Sequence, residues 1–506
     1  MPGDPLELGR EARYRALVDD LFAYLRGRVR YADLVIEEVS RAEYNRVFGG
    51  DEVMKPLSRK GALALRLVGE EGRALDVSLG LLPFAELRGT IDAALRLLAA
   101  QPPNPGWGLA PLPDRTRRRF GVPVPGDRAA DLLERFALLA EEVARLDRAA
   151  AQAAPGLEVE SEIWAWTQTE EKLVADIDGL YRTQILPATF VQVVSRARDP
   201  ATGRATEHRT RIGDVHGIEM LFAGEGLRPD FRERIGQSAR RAVLLQGARA
   251  LTPEELRRLT HVVLGTTAMV FVHEAEGHNF EADLVKEGSS GLFLRDGSPT
   301  RDPLGSDQVD VWDGPVRRPD GTFAGREGFG FQFIDDEGVE VAPVRLVQAG
   351  RIVGKLHNRE TAHHFGEAPN GRGFSELGDR RLVRMTNTYL HPSERARWVD
   401  DLEELIADVP FGVFLDGSRG GAVSRGGMST TIQFGQLIVD GKLTGERLLP
   451  SNLSVDTQRS LEGIEGFAGP MRCDDPGFCG KGQTKLVADG GPITRIRLGS
   501  GITLGF

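Results

Sequence analysis

The sequence predicts an α+β fold in which a mixed α/β N-terminal region precedes a β-rich C-terminal region. Helical periodicity is concentrated before residue 260, a Pro-rich break follows residue 100, and paired β segments around Gly-containing turns dominate after residue 329. A chain of 506 residues is long enough for two or three domains with a substantial core.

The N-terminal elements follow in order along the chain. Residues 7–28 alternate charged side chains with leucines, which is the pattern of an amphipathic helix. Apolar β-type stretches follow, and the segment Glu70–Arg73 separates two of them as a hairpin turn would. Residues 86–100 again have a helical pattern. We therefore predict an N-terminal α/β domain at residues 1–100 and a Pro-rich linker at residues 101–125.

The rest of the chain divides into a middle and a C-terminal region. A long helix at about 128–150 and strands within 157–222 predict a middle α/β region at residues 126–230. A helix at about 230–250 opens the C-terminal region, residues 231–506. Turns at Ala349-Gly350 and Asp440-Gly441 lie between apolar runs, and the second is a strong hairpin signal.

Composition excludes several classes of function. The net charge of −10 and the pI near 5.6 argue against a general binder of nucleic acid or of an acidic membrane. The first 30 residues are charged throughout and show no apolar signal segment. Two cysteines do not form a disulfide framework, so we expect a cytoplasmic protein whose thiols stay reduced.

The most informative segment is His273-Glu274-Ala275-Glu276-Gly277-His278, which follows an apolar stretch. Neutral imidazoles bind zinc, and a neighbouring glutamate that is not a ligand can accept a proton from the metal-bound water. The two histidines are five residues apart, which separates them by roughly 140° around a regular helix. Both reach one ion only if the helix widens or ends between them, and Gly277 has the backbone freedom for this.

A catalytic zinc usually has three protein ligands plus water, so the two histidines leave one ligand to find. Glu281 lies three residues after His278, and Cys479 lies far away in the segment Asp475–Lys481, which we predict to be a tight Pro-Gly turn. A thiolate is a good zinc ligand. The chemistry alone leaves Cys479 and Glu281 as near-equal candidates, with Cys473 less favoured.

The segment from His273 to Asp283 resembles the signature of the TldD/PmbA family of cytoplasmic metallopeptidases. Further segments follow in the order found in that family: residues 335–338, 350–354, 370–372, 384–388 and 475–481. Together they cover about 270–485. Because the chain has the H-E-x-x-x-H motif, it resembles the catalytic, TldD-type branch of the family and not the inactive branch.

The resemblance implies a role for each candidate residue. His273, His278 and Cys479 become the ligands of one zinc ion per chain, and Glu274 becomes the general base. Glu281 then accepts a hydrogen bond from a ligating imidazole and fixes its tautomer. Residues 231–506 become a β-rich metallopeptidase domain that carries the zinc site.

The resemblance also implies hydrolysis of peptide bonds in short or unfolded peptides. It suggests a dimer, either of this chain with itself or with an inactive family homologue. The alternative is a non-catalytic, zinc-containing binding or modulator protein within a heteromeric complex, a role attached to this family through DNA gyrase. A closed structural zinc site needs four protein ligands, and Glu281 or Cys473 could supply the fourth.

Overall fold

The computed structural model describes residues 5–121, 129–224, 226–266, 269–424, 426–499 and 501–505. Helices and sheets are both extensive, as the α+β prediction requires. The helices are α1 (Pro5–Leu25), α2 (Phe84–Ala100), α3 (Ala129–Ala153), α4 (Pro229–Leu244), α5 (Pro253–Arg258), α6 (Val270–Ala275), α7 (Ala282–Glu287), α8 (Arg359–Phe365) and α9 (Leu402–Ile406).

The N-terminal half is built on one long-stranded, mostly antiparallel sheet. Its order is β3-β2-β1-β5-β6-β4, with β7 also paired to β6. The strands are β1 (Tyr31–Arg46), β2 (Glu52–Val68), β3 (Ala74–Leu79), β4 (Arg118–Gly121), β5 (Glu158–Asp176), β6 (Tyr181–Arg198) and β7 (Ala205–Asp214). A short pair follows, β8 (Phe222–Ala223) with β9 (Gly226–Leu227).

The two faces of this sheet have different partners. One face packs against the helices of the N-terminal half, because its apolar side chains form common cores with α2 and with α3. The other face packs against the C-terminal half through aromatic side chains. Trp166 and Phe190 of the sheet share a buried cluster with Trp312, Phe329 and Tyr389.

The C-terminal half contains two larger sheets. One has the order β17-β22-β25-β10-β18-β19-β21-β26, with β20 paired to β19, and the other has the order β13-β12-β11-β16-β24-β23. The strands are β10 (His261–Leu264), β11 (Val309–Asp313), β12 (Val344–Gln348), β13 (Arg351–Ile352), β14 (Gly373–Phe374), β15 (Leu382–Val383), β16 (Asn387–Pro392), β17 (Trp398–Val399), β18 (Phe411–Ser424), β19 (Gly427–Val439), β20 (Lys442–Leu448), β21 (Ser451–Asp456), β22 (Ile464–Ala468), β23 (Asp475–Gly480), β24 (Thr484–Gly490), β25 (Ile493–Arg497) and β26 (Ile502–Gly505).

Local sequence signals located these elements well. The helices predicted at 7–28, 86–100, 128–150 and 230–250 correspond to α1, α2, α3 and α4. The hairpin predicted at Asp440-Gly441 joins β19 to β20, and both turn residues have positive φ, 45° and 74°. Those angles are what a two-residue hairpin of the I′ type needs.

Long-range pairing was not visible in the sequence. The strands β1 and β5 pair along almost their full length, although they come from opposite sides of the predicted linker. Residues 101–117 of that linker have no helix or strand, as predicted, but Ala110 exchanges hydrogen bonds with Arg359 of α8. The boundary predicted at 125–126 lies outside the described residues, and the domain division stays a prediction. No helix within the described ranges is long and apolar enough to cross a membrane.

Candidate metal centre

The histidine motif spans the end of one helix and the start of another. His273 lies on α6, which ends at Ala275, and His278 lies on a 3₁₀ turn at Gly277–Phe280. The expectation that the helix ends between the two histidines is confirmed. Gly277 is needed because of close packing: a Cβ atom at this position would overlap the Met385 sulfur atom. A larger residue would push the second imidazole away from the first.

Cys479 comes from a strand, so the predicted Pro-Gly turn is wrong. Residues 475–480 form β23, which pairs with β24, and the turn lies after it at residues 481–483. Pro476 is tolerated because β23 is the edge strand of its sheet, where a missing N–H need not break the ladder. Alternation along β23 directs the Cys479 side chain into the protein core, where it is 4% exposed.

The structure brings His273, His278 and Cys479 together. One ligand atom from each lies within 4.8 Å of those of the other two, and all three residues are buried. His278 Nε2 lies 3.4 Å from Cys479 Sγ. Zinc–nitrogen and zinc–sulfur bonds of about 2.0–2.3 Å place tetrahedral ligands roughly 3.3–3.8 Å apart. This His-His-Cys cluster could therefore bind a metal ion.

Each imidazole is oriented by a carboxylate on its other nitrogen. His273 Nδ1 lies 2.8 Å from Asp489 Oδ1, and His278 Nδ1 lies 2.9 Å from Glu281 Oε2. A carboxylate that accepts from Nδ1–H leaves the Nε2 lone pair for a metal. Glu281 has the hydrogen bond that the sequence analysis expected of it. Asp489 was missed, and its signal was an acidic residue at the end of the apolar run Leu486-Val487-Ala488.

Positive charge stabilises the ionised groups around the cluster. Although burial raises the pKa of Glu281, Lys481 at 3.2 Å and His278 lower it to about 2. Burial alone would also raise the pKa of the Cys479 thiol, but His273 and His278 hold it well below its usual value. The thiolate is the form that binds metal. Arg384 supports the strand from behind, because its guanidinium donates to the Cys479 carbonyl at 2.6 Å.

Glu274 is half-buried and borders the cluster. Burial raises the pKa of its carboxyl group, while the charges of His273 and His278 oppose that rise. Nothing in the described ranges forms a hydrogen bond with this carboxylate. Strand β18 passes close to it, since a Cβ atom added at Gly421 would lie 2.5 Å from Glu274 Cγ. The carboxylate is thus positioned beside the cluster and available to move a proton.

Three other residues with polar or metal-binding side chains have their contacts outside this cluster. Cys473 belongs to the apolar cluster around Trp166 and Phe190, apart from the three candidate ligands. Asn387 uses its side-chain amide to hold the backbone at Glu327 and Gly330. Glu276 is fully buried, and one of its oxygens accepts from the Ser460 hydroxyl, while burial raises its pKa to about 8. These contacts are structural.

Residues 257–480, which include His273, His278 and Cys479, match the model of the PmbA/TldA metallopeptidase C-terminal domain. This part of the chain is thus similar to the C-terminal domain of the PmbA/TldD family. The matched region contains the His-His-Cys cluster. The sequence resemblance to the family is confirmed, and the catalytic branch stays a prediction.

Individual relatives agree with this family assignment. A metalloprotease of Methanothermobacter thermautotrophicus is 36% identical over 56% of this chain and 57% of its own length. A zinc metalloprotease TldD homologue of Saccharolobus solfataricus is 29% identical over 45% of this chain and 48% of its own length. The chain thus spans about half the length of these curated relatives. TldE from Thermococcus kodakarensis has the same fold, with a TM-score of 0.72 and 14% identity, over 96% of this chain and 100% of that one.

Proposed function

We propose that this chain is a zinc metallopeptidase that hydrolyses peptide bonds in short or unfolded peptides. His273, His278 and Cys479 hold one zinc ion, and Glu274 is the general base. One observation carries the proposal: three metal-binding side chains from distant parts of the sequence converge, and a carboxylate orients each imidazole. The names of the curated relatives, which include a zinc metalloprotease, support it.

The chain's own residues divide the chemistry between them. Zinc, when bound, supplies a Lewis acid that lowers the pKa of water and polarises a scissile carbonyl. Glu274 accepts the proton of the attacking water and then delivers it to the leaving amine. Asp489 and Glu281 accept hydrogen bonds from the Nδ1–H groups, which fixes the orientation of the two imidazoles and leaves each Nε2 atom for the metal. Lys481 keeps Glu281 ionised throughout.

The depth of the cluster supports short or unfolded peptides as substrates. His273, His278 and Cys479 are exposed by only 3%, 6% and 4%. The surface of a folded protein cannot enter such a site, whereas an extended chain can. With three protein ligands, a bound zinc would keep one position open for water or substrate.

The number of protein ligands favours an enzyme over a zinc-containing binding protein. A closed structural site needs four protein ligands. The described residues contribute three to this cluster, while Glu281 is engaged with His278 and Cys473 lies in another core. The modulator alternative therefore lacks its fourth ligand here. One solved relative of the same fold, from Thermotoga maritima, carries a name that links it to DNA gyrase, with 17% identity and a TM-score of 0.70 over 97% of this chain and 100% of that one.

The partner implied by the family also belongs to this proposal. We propose a dimer, with a second copy of this chain or with an inactive homologue, and a cytoplasmic location. Light scattering on the purified chain distinguishes the two partners. A dimeric mass supports self-association, and a monomeric mass supports a requirement for the homologue.

The proposal is tested by comparing Glu274→Gln with the native chain. We expect both proteins to hold about one zinc, and the variant to hydrolyse an unstructured peptide about a hundred to ten thousand times more slowly. Glu276→Gln is the matched control, because Glu276 is two residues away but hydrogen-bonded to Ser460. If both proteins bind zinc and neither hydrolyses the peptide, the result favours the modulator alternative. If Glu274→Gln cuts like the native chain, the general base is another group.

A further inference from the structure

A second feature lies at the junction of the N-terminal sheet with β18. A recess of about 40 Å³ opens there between β7, α4 and the residues Asp416–Ser418, and Asp475 of β23 closes it. One water needs about 10–15 Å³ of such space. The recess is therefore large enough for a small polar group, such as a carboxylate, together with water.

Arginines dominate the recess, and they fall into two classes. Arg234 lies 3.1 Å from Asp474, and Arg241 lies 2.6 Å from Asp416, so both are neutralised by carboxylates. Arg209 and Arg211 have neutral partners instead. Arg209 Nη2 donates to the Ser418 carbonyl at 2.6 Å, and Arg211 Nε donates to the Gln192 side chain at 3.2 Å.

A third guanidinium strengthens the positive charge. Arg419 follows Ser418 directly, is exposed, and has no hydrogen bond or ion pair with any part of the chain that the structure describes. Burial and the charges of Arg211 and Arg419 lower the pKa of Arg209 to about 10. Arg209 and Arg211 line the recess together with Asp475, and Arg419 lies next to its lining residue Ser418 and acts on Arg209; we call these three arginines the arginine triplet. The recess thus has an excess of positive charge.

Two contacts connect the recess to the candidate metal centre. Strand β18 has an irregularity between Ser418 and Gly421, and Gly421 packs against Glu274. Bulges of this kind are common beside active sites, where they redirect side chains. On the other side, Asp475 is paired in register with Asp489, whose carboxylate orients His273.

The distance between the two sites suits a peptide. Gly421 lies three positions after Ser418 on β18, and such a segment spans at most about 10 Å. An extended peptide covers about 3.3 Å per residue. A group held at the arginine triplet would therefore belong to a residue within about three positions of the scissile bond.

We propose that the arginine triplet binds a carboxylate of the peptide substrate. Guanidinium groups match carboxylates in geometry and hold them with paired, charge-assisted hydrogen bonds. The inference rests on the proposed peptidase function and specifies its substrate class: peptides with a carboxylate within three residues of the cleaved bond. That carboxylate is either a free C-terminus or an aspartate or glutamate side chain.

Matched peptides test this inference. One pair differs only in a free or amidated C-terminus within three residues of the cleaved bond, and a second, end-blocked pair has Glu or Gln at that position. For one pair we expect the native zinc-loaded protein to prefer the acid by about ten- to a hundredfold in kcat/KM, as for a charged hydrogen bond. The pair that shows the preference identifies the source of the carboxylate.

Variants separate recognition from structure. Arg419→Gln and Arg211→Gln should bring the acid-to-amide ratio close to one while leaving the rate on the neutral peptide nearly unchanged. Arg395→Gln is the control, because Arg395 is 72% exposed and lies in a loop of the C-terminal half. A purely structural arginine would lower the rates on both peptides together and leave the ratio intact. That result, or a native ratio of one in both pairs, overturns the inference.

The same peptides distinguish this inference from the proposed function. If the native protein cuts none of them, the peptidase proposal fails, and calorimetric binding to the zinc-loaded protein decides the inference. Tighter binding of an acid peptide, lost in Arg419→Gln, supports the carboxylate site. Equal affinity for acid and neutral peptides overturns it.

Discussion

Two buried polar clusters in the C-terminal half differ in one instructive respect. Arg372 and Asp313 form an ion pair at 2.7 Å, and both side chains are fully buried. Every guanidinium nitrogen of Arg372 donates to the protein, and Thr386 and Thr388 complete the shell of Asp313. At the candidate metal centre, by contrast, two imidazoles and a thiol present electron-pair donors to one another.

The difference shows how a structural cluster is told from a functional one. The opposite charges of Arg372 and Asp313 neutralise each other, so this cluster requires no ligand from outside the chain. A buried thiolate between two imidazoles is instead a set of ligands that a metal cation would complete, because the cation can bind the sulfur atom and both Nε2 atoms together. The carboxylates of Asp489 and Glu281 reinforce this difference, since they use the Nδ1 atoms and leave the Nε2 atoms for the ion. The predictions below test the contrast, beginning with the largest effect.

Removing a ligand should abolish the metal site without removing the fold. We expect Cys479→Ala to lose stoichiometric zinc and to lower peptide hydrolysis by more than about a thousandfold, because the metal supplies several kcal/mol of transition-state stabilisation. Metal analysis and peptide assays measure both effects. Cys473→Ala is the matched control, since this second buried thiol lies in a different core. Equal zinc loss in both variants would contradict the ligand assignment.

Removing one partner of the Arg372–Asp313 ion pair should instead destabilise the fold. We expect Asp313→Ala to lower the free energy of unfolding by about 3–5 kcal/mol, because it leaves the Arg372 charge buried and unpaired. Urea denaturation measures the change. The control is Asp307→Ala, which breaks an exposed pair with Arg395 and should cost less than about 1 kcal/mol. A similar cost for the two variants would remove the contrast between the clusters.

An intermediate effect is expected from the carboxylates that orient the imidazoles. Asp489→Asn keeps the shape of the side chain but weakens its hold on His273 Nδ1–H, so zinc affinity should fall about ten- to a hundredfold. Competition with a chromogenic chelator measures this affinity. Asp283→Asn is the comparison, because Asp283 pairs with Lys481 and does not contact an imidazole. A larger loss from Asp283→Asn than from Asp489→Asn would contradict the orienting role.

The parts of the site that the sequence predicted are those with local signals. The spacing of His273 and His278 required a break in the helix, and the structure has it at Ala275. Glu281 was close enough in sequence to be chosen as a partner of His278. Asp489 was not, because 216 residues separate it from His273 and only the pairing of β16 with β24 places it there.

The same limit applies to the fold. Helices and tight hairpins depend on nearby residues, and their positions were predicted correctly. The strand at Asp475–Gly480 was mistaken for a turn, because Pro476 and Gly477 resemble turn residues, and only the edge position of β23 makes them acceptable. The pairing of β1 with β5 across the linker is equally non-local. Local chemistry identifies elements, whereas non-local pairing decides which of them meet.

The smallest effect concerns an imidazole without a carboxylate partner. His208 is buried beside Ser238 and Arg241, and burial together with the charge of Arg241 lowers its pKa to about 3. In the unfolded chain, His208 is protonated below about pH 6.5, whereas in the folded chain it stays neutral at that pH. The free energy of unfolding therefore decreases as the pH drops below that value. From pH 7 to 5.5 the loss should be about 1 kcal/mol, and His208→Gln should remove that part of the pH dependence. Urea denaturation of both proteins at the two pH values measures this loss of stability. An unchanged pH dependence in the variant would show that His208 is protonated in the folded chain as well.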